Sequence, residues 1–127
     1  MSKRLKLLFV DDEPINLMLF QTCFGENYHV ITAESGAEAL KILAENSDIS
    51  VVFTDMKMPW MSGVEFARKA KPLYPRIAFY ILTGYGLSEL IQQAIDDGVL
   101  NGCLFKPFDI DEVEQAIVDV VNANIRS

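Results

Sequence analysis

Apolar residues follow two alternating rhythms along the chain. Four short runs, LLFV (7–10), VVF (51–53), AFYIL (78–82) and CLF (103–105), are apolar without interruption, the pattern of parallel strands covered on both faces. YHVIT (28–32) reads as a fifth strand, more weakly patterned and so placed nearer a sheet edge. The stretches between carry a helical period, clearest at the end, where Ile110, Val113, Ala116, Ile117, Val120 and Val121 share one face. Ser35 with Glu38, Ser62 with Glu65, and Asp109 with Glu112 each place a side-chain acceptor three residues before a glutamate, a helix-start signature. Pro14 suits a first helical turn. The order is strand then helix, five times over, which predicts right-handed crossovers and a doubly wound α/β domain with helices on both faces of a parallel sheet.

A length of 127 residues with 50% hydrophobic content predicts one domain, over residues 1–127, with a single packed core. The net charge of -7 argues against a surface that neutralises phosphates, so direct nucleic-acid binding is not expected. Basic partners suit it better. Cys23 and Cys103 are too few for a disulfide framework and match no metal spacing, which fits a reducing, cytoplasmic setting. The start KRLKLLFV imitates a signal peptide, but Asp11, Asp12 and Glu13 cut its apolar run short. No stretch is long enough to cross a membrane.

Chemistry gathers at one place in this layout. Open sheets of this kind hold ligands beyond the carboxyl ends of their strands. Strand one runs into Asp11 and Asp12, strand three into Asp55, strand four into Thr83 and strand five into Lys106, so all five residues fall on one rim. Neighbouring strands lie about 4.8 Å apart, and two like charges about 4 Å apart repel by on the order of 4 kcal/mol at an effective dielectric of about 20. A cation is therefore part of the design. Oxygen ligands alone, with no thiolate or imidazole nearby, favour Mg2+, with Mn2+ as a substitute. A carboxylate such as Asp55 beside a bound cation is placed to attack phosphorus and form an acyl phosphate. Lys106 and the Thr83 hydroxyl are candidates to neutralise and position the phosphoryl group.

The motifs VDDE (10–13), DMKMPWMSG (55–63), LTG (82–84) and FKP (105–107) together resemble the receiver domain of two-component response regulators, over essentially the whole chain. The resemblance implies a flavodoxin-like (βα)5 fold with sheet order 2-1-3-4-5. It implies phosphotransfer from a sensor histidine kinase or phosphotransfer protein to Asp55, with a downstream output domain or protein as second partner and no separate metabolite turned over. Asp12 and Asp55 then bind the metal through side chains, Asp11 through water and Lys57 through its backbone carbonyl; Lys106 pairs with the phosphoryl group and Thr83 turns toward it. The Lys106–Pro107 bond is expected cis. Homodimerisation through helix four, strand five and helix five is a further expectation. Two residues beyond the aspartate and two beyond the threonine, at Lys57 and Tyr85, the family flanks the path of the hydrolytic water. The chain departs from the family at Cys103, where an aromatic switch residue is usual, at Gly84, where alanine is common, and in GVLNGCLFKP, one residue longer than usual.

Other readings compete. Asp11 and Asp12 alone are explained as helix N-terminal charges, although that leaves Asp55 without a reason. An aspartyl-phosphate phosphatase would carry a second aspartate where Lys57 stands, and a flavodoxin-type phosphate site would be repelled by Asp11, Asp12 and Glu13. A receiver excised from a hybrid histidine kinase or larger regulator fits the same residues, whereas a degenerate receiver is disfavoured because every site position is filled. GYGLSE (84–89) is half a dinucleotide fingerprint and reads instead as a loop with Ser88 as helix cap. His29 reads as a plain strand residue, Cys23 as core packing, and Cys103 lacks the basic neighbours of a redox sensor apart from Lys106. Trp60 and Met61 read as cover for the edge of the core, although an exposed Trp60 there would report metal binding by its fluorescence.

Overall fold

The computed structural model describes residues 4–126. Strands β1 (Lys6–Val10), β2 (His29–Ala33), β3 (Val51–Asp55), β4 (Ala78–Thr83) and β5 (Gly102–Phe105) alternate with helices α1 (Pro14–Phe24), α2 (Gly36–Glu45), α3 (Gly63–Ala70), α4 (Glu89–Asp96) and α5 (Ile110–Arg126). All strand pairs are parallel, in the order β2-β1-β3-β4-β5. The expected flavodoxin-like topology is therefore present, with β2 at an edge as its weaker pattern suggested.

Alternation along the strands sends side chains to two cores. Leu8, Val10, Val52, Phe79 and Ile81 join α2, α3 and α4 on one face, while Leu7, Phe9, Val51, Phe53, Tyr80 and Leu82 join α1 and α5 on the other. Each fully buried aliphatic or aromatic side chain contributes roughly 1.5–3 kcal/mol. The second core is aromatic: Phe9 stacks on Phe20 at 4.3 Å and Phe53 on Tyr80 at 5.5 Å between centroids. Cys23 packs against this core as expected, and Cys103 against the first one. β5 is less buried than its uninterrupted apolar run predicts. It is the other edge strand and only half-buried, with Phe105 exposed, because no further strand pairs with it.

The helix starts obey their caps. Ser62 and Glu65 form a full capping box, and Ser88 accepts from the Ile91 N–H at 3.3 Å. Asp109 accepts from the Asp111 and Glu112 N–H groups. Ser35 caps Glu38, but the Glu38 carboxylate reaches the Glu34 N–H, one residue before the cap, so that box is skewed. The segment before β5 turns through a left-handed Gly98, φ 78°, and is tied down by Asn101, whose N–H donates to the Phe79 carbonyl while its side chain accepts from the Phe79 N–H.

Candidate functional site

The register sets the rim. Val10 stands opposite Thr54, Asp55 opposite Leu82, and Thr83 opposite Phe105, so the residues just beyond β1 and β5 close around the end of β3. The Lys106 N–H donates to the Thr83 carbonyl at 2.8 Å, continuing the ladder to the lysine, and the Lys106–Pro107 bond is cis. After Asp55 the chain turns sharply, and Gly63 packs directly on the Asp55 carbonyl. A Cβ there would overlap that backbone oxygen and press on Ile81, which leaves no room for a side chain at position 63.

Asp11, Asp12 and Asp55 offer carboxylate oxygens that all lie within 4.8 Å of one another. Lys106 supplies the cation among them, its Nζ 3.0 Å from Asp55 Oδ1 and 3.3 Å from Asp11 Oδ2. Asp11 is wholly buried and well partnered: its carboxylate accepts from the Glu13 N–H at 2.9 Å and from Asn16 Nδ2 at 3.1 Å, besides Lys106. Asn16 was not legible as a site residue, since only the fold brings the first turn of α1 back over Asp11. Asp55 is 8% exposed and opens, with Asp12, Lys57, Thr83, Tyr85 and Lys106, onto a cleft of about 460 Å³.

One ammonium among three carboxylates leaves a deficit of about two positive charges. Burial pushes the Asp55 carboxyl up, the Lys106 hydrogen bond and charge pull it down, and the Asp11 and Asp12 charges raise it again; the net shift is upward. For Lys106, burial pulls the ammonium down, but its hydrogen bond to Asp55 and the charges of Asp55 and Asp11 outweigh that and raise it. The pocket thus holds its lysine charged and still strains to keep Asp55 ionised.

Thr83 is buried, and its hydroxyl oxygen accepts from the Tyr85 N–H at 3.2 Å. Lys57 extends over the Tyr85 ring, with Nζ 4.4 Å from its centroid, a cation–π contact at the mouth of the cleft. Met61 packs on the core beside Gly36, as its sequence reading held. Trp60 does not: it is 99% exposed. Burial pushes the Cys103 thiol up, which works against a reactive thiolate. A larger groove of about 790 Å³ lies at the opposite end of the strands, but its Lys6 pairs with Asp48 at 2.9 Å and its Arg4 donates to the carbonyls of Gly25 and Glu26.

The response regulator receiver domain family model matches residues 7–118. The chain is 35% identical over 113 residues to sporulation initiation phosphotransferase F of Bacillus subtilis, covering 88% of this chain and 90% of that protein. It is 32% identical over 112 residues to the sensor histidine kinase RcsC of Escherichia coli, covering 87% of this chain but 12% of that protein. The crystal structure of a response regulator receiver domain protein from Clostridium thermocellum superposes with a TM-score of 0.88 at 35% identity, over 94% of this chain and 96% of that one. Sheet order, rim residues and relatives agree: the chain belongs to the response regulator receiver domain family.

Proposed function

We propose that the chain is a phosphoacceptor switch in which Asp55 takes a phosphoryl group from a phosphohistidine. The observation that carries this is the placement of Asp55 at the floor of an open cleft, hydrogen-bonded to Lys106 and crowded by two further carboxylates. An Asp55 oxygen attacks phosphorus while the phosphorus–nitrogen bond to the donor imidazole breaks; the ring nitrogen keeps the electron pair and takes up a proton. Lys106 stays beside the acceptor oxygen and offsets charge on the phosphoryl group, and Thr83 hydrogen-bonds one of its oxygens after leaving the Tyr85 N–H.

The acidic trio fits a small divalent cation in charge and donor type. Asp12 and Asp55 would hold it by side chains and Lys57 by its carbonyl, with Asp11 acting through water; Mg2+, or Mn2+ in its place, supplies positive charge against the carboxylates and the phosphoryl oxygens. The phosphatase alternative is disfavoured, because Lys57 rather than an aspartate stands two residues after Asp55 and its ammonium caps Tyr85.

A protein donor fits the surface. α1 buries Leu17, Phe20 and Phe24 yet exposes Ile15, Met18 and Leu19, an apolar stripe beginning beside the rim. Leu90, Phe105, Ile110 and Val118 are exposed on α4, β5 and α5, which supports that face as the output or dimer surface. A cytoplasmic place fits such partners, and no described helix is long and apolar enough to cross a membrane. Relatives include both a phosphotransferase and the kinase RcsC, so a stand-alone regulator and a receiver within a larger kinase or regulator remain two forms of one function.

Incubation with phosphoramidate and Mg2+ tests the reading: intact mass should rise by one phosphoryl group, and chelation should suppress the rise. No adduct in either condition would reject it. The Lys57–Tyr85 contact is expected to slow hydrolysis by shielding the acyl phosphate. Replacing both residues with alanine should shorten the adduct's half-life roughly tenfold, about 1.4 kcal/mol of barrier, as followed by release of inorganic phosphate. An unchanged half-life would remove the shielding role.

A further inference from the structure

Trp60 is the one residue other than glycine, among those described, with a positive φ, at 71°. The Met61 N–H donates to the Pro59 carbonyl at 2.8 Å, closing a three-residue turn of the rare, strained kind around it. A positive φ is unfavourable for a residue with a Cβ, and glycine would avoid that cost. Packing of its own side chain does not offset that cost, because the indole is 99% exposed. The turn is nevertheless held at both ends. Met61 is lodged beside Gly36, the Gly63 N–H donates to the Met56 carbonyl at 2.9 Å, and Ser62 and Glu65 close their capping box. The loop displays an indole on a fixed support.

We propose that Trp60 is a docking anchor for the protein that donates the phosphoryl group, placed outside the reacting cleft; this rests on the phosphoacceptor reading of Asp55. A donor must bring its phosphohistidine to the Asp55 carboxylate. A standard interface covers about 800 Å² on each partner, a disc of about 16 Å radius; Gly63 packs on the Asp55 carbonyl, and three residues of chain separate Trp60 from Gly63 by at most about 11 Å. Trp60 thus lies at or inside the rim of such a footprint. Tryptophan is enriched among residues that dominate binding energy, and a fixed indole loses little freedom on docking. Asp12 and Glu13 line the cleft beside Lys57 and Lys106 in a chain with net charge -7, and that overall charge favours a donor whose facing surface is basic. Charge of that kind speeds encounter more than it selects a partner; the indole supplies the selection. Trp60 does not line the cleft, so a small phosphodonor reaches Asp55 without touching it.

Two donor classes separate these roles. One is phosphoramidate. The other is the set of purified histidine-bearing kinase and phosphotransfer domains encoded in the same genome, each phosphorylated beforehand through ATP. Trp60→Gly, which also relieves the strained φ, should accept from the protein donor about 10- to 100-fold more slowly, with an unchanged rate from phosphoramidate and a melting temperature no lower than wild type. Trp60→Phe should recover part of the loss. Equal rates from the protein donor, an equal loss with both donors, or a wild type that accepts from phosphoramidate but from no protein in the set would each overturn the anchor. A wild type that refuses phosphoramidate would instead remove the phosphoacceptor reading beneath it.

Discussion

Asp55→Asn is expected to be more stable than wild type at pH 7 in the presence of a chelator and less stable than wild type in saturating Mg2+. In the folded chain the Asp55 carboxyl is raised, first by burial and then by Asp11 and Asp12 against the pull of Lys106. A carboxyl raised on folding favours the folded state fully at pH below its unfolded value, and that contribution disappears as pH rises through the folded value. At pH 7 the charged form is therefore held at a cost. Asparagine keeps the shape, still accepts from Lys106 and carries no charge, so the chelated variant should melt higher than wild type. The gain should shrink as pH falls toward the ordinary aspartate value of 3.8. Metal reverses the order, because a ligand at a hundredfold its dissociation constant stabilises by about 2.7 kcal/mol and the variant lacks one of the three carboxylates. Thermal melts of both proteins with and without Mg2+ should cross. Parallel responses to Mg2+ would mean that Asp55 takes no part in holding the ion.

Lys106→Ala should cost both stability and reactivity. Its ammonium touches Asp55 and the wholly buried Asp11, and removing one partner of a buried pair leaves the other charge uncompensated. Because the lysine side chain is 28% exposed and Asp11 retains the Glu13 N–H and Asn16, the loss should be about 2 kcal/mol, below the 3–5 of a fully buried pair. The lysine is raised above its ordinary 10.5, since its two carboxylate partners outweigh burial. Its contribution is thus whole below that value and fades as pH climbs through the folded value, so the gap between wild type and variant should close in alkaline melts. Phosphorylation by a small donor should slow by about 10²–10³-fold, the effect of deleting one charge-stabilising donor. Stopped-flow or quench measurements on the variant decide this, and a wild-type rate would remove Lys106 from the reaction.

Much of this was legible in the residues, for physical reasons that differ from place to place. Uninterrupted apolar runs identify strands that helices cover on both sides, and β1, β3 and β4 are buried as their runs imply. The caps at Ser35, Ser62, Ser88 and Asp109 were readable because a cap is a local hydrogen bond. The clustering of Asp11, Asp12, Asp55, Thr83 and Lys106 followed from one rule about strand ends. Sheet order was another matter. Periodicity shows that a strand is buried without showing which strand lies beside it, and only the motifs' resemblance supplied 2-1-3-4-5. The CLF run predicts a strand covered on both faces, yet β5, at the edge that the order 2-1-3-4-5 gives it, is only half-buried. The Asn16–Asp11 hydrogen bond and the Lys57–Tyr85 contact depend on side chains meeting across turns, which spacing does not report. Between cover for the core edge and exposure the residues did not decide for Trp60, because large apolar residues are usually buried and nothing in its neighbours announces a positive φ.

The motif resemblance sets Cys103 at a position where an aromatic residue is expected. In this chain it packs against the α2–α4 core from β5 and its Sγ faces the Leu104 carbonyl at 3.9 Å. Phe105, two residues on and therefore on the same face of the strand, stands opposite Thr83 and is exposed. The aromatic bulk on this part of β5 is thus displaced toward the rim.

The most direct test of the central claim is chemical localisation of the acceptor. After treatment with phosphoramidate and Mg2+, borohydride reduces an aspartyl phosphate to homoserine, and peptide mass mapping reads its position. The account requires homoserine in place of Asp55, with Asp11 and Asp12 unaltered and no conversion when Mg2+ is chelated. Conversion at Asp11 or Asp12, or conversion at Asp55 that ignores the chelator, would contradict it.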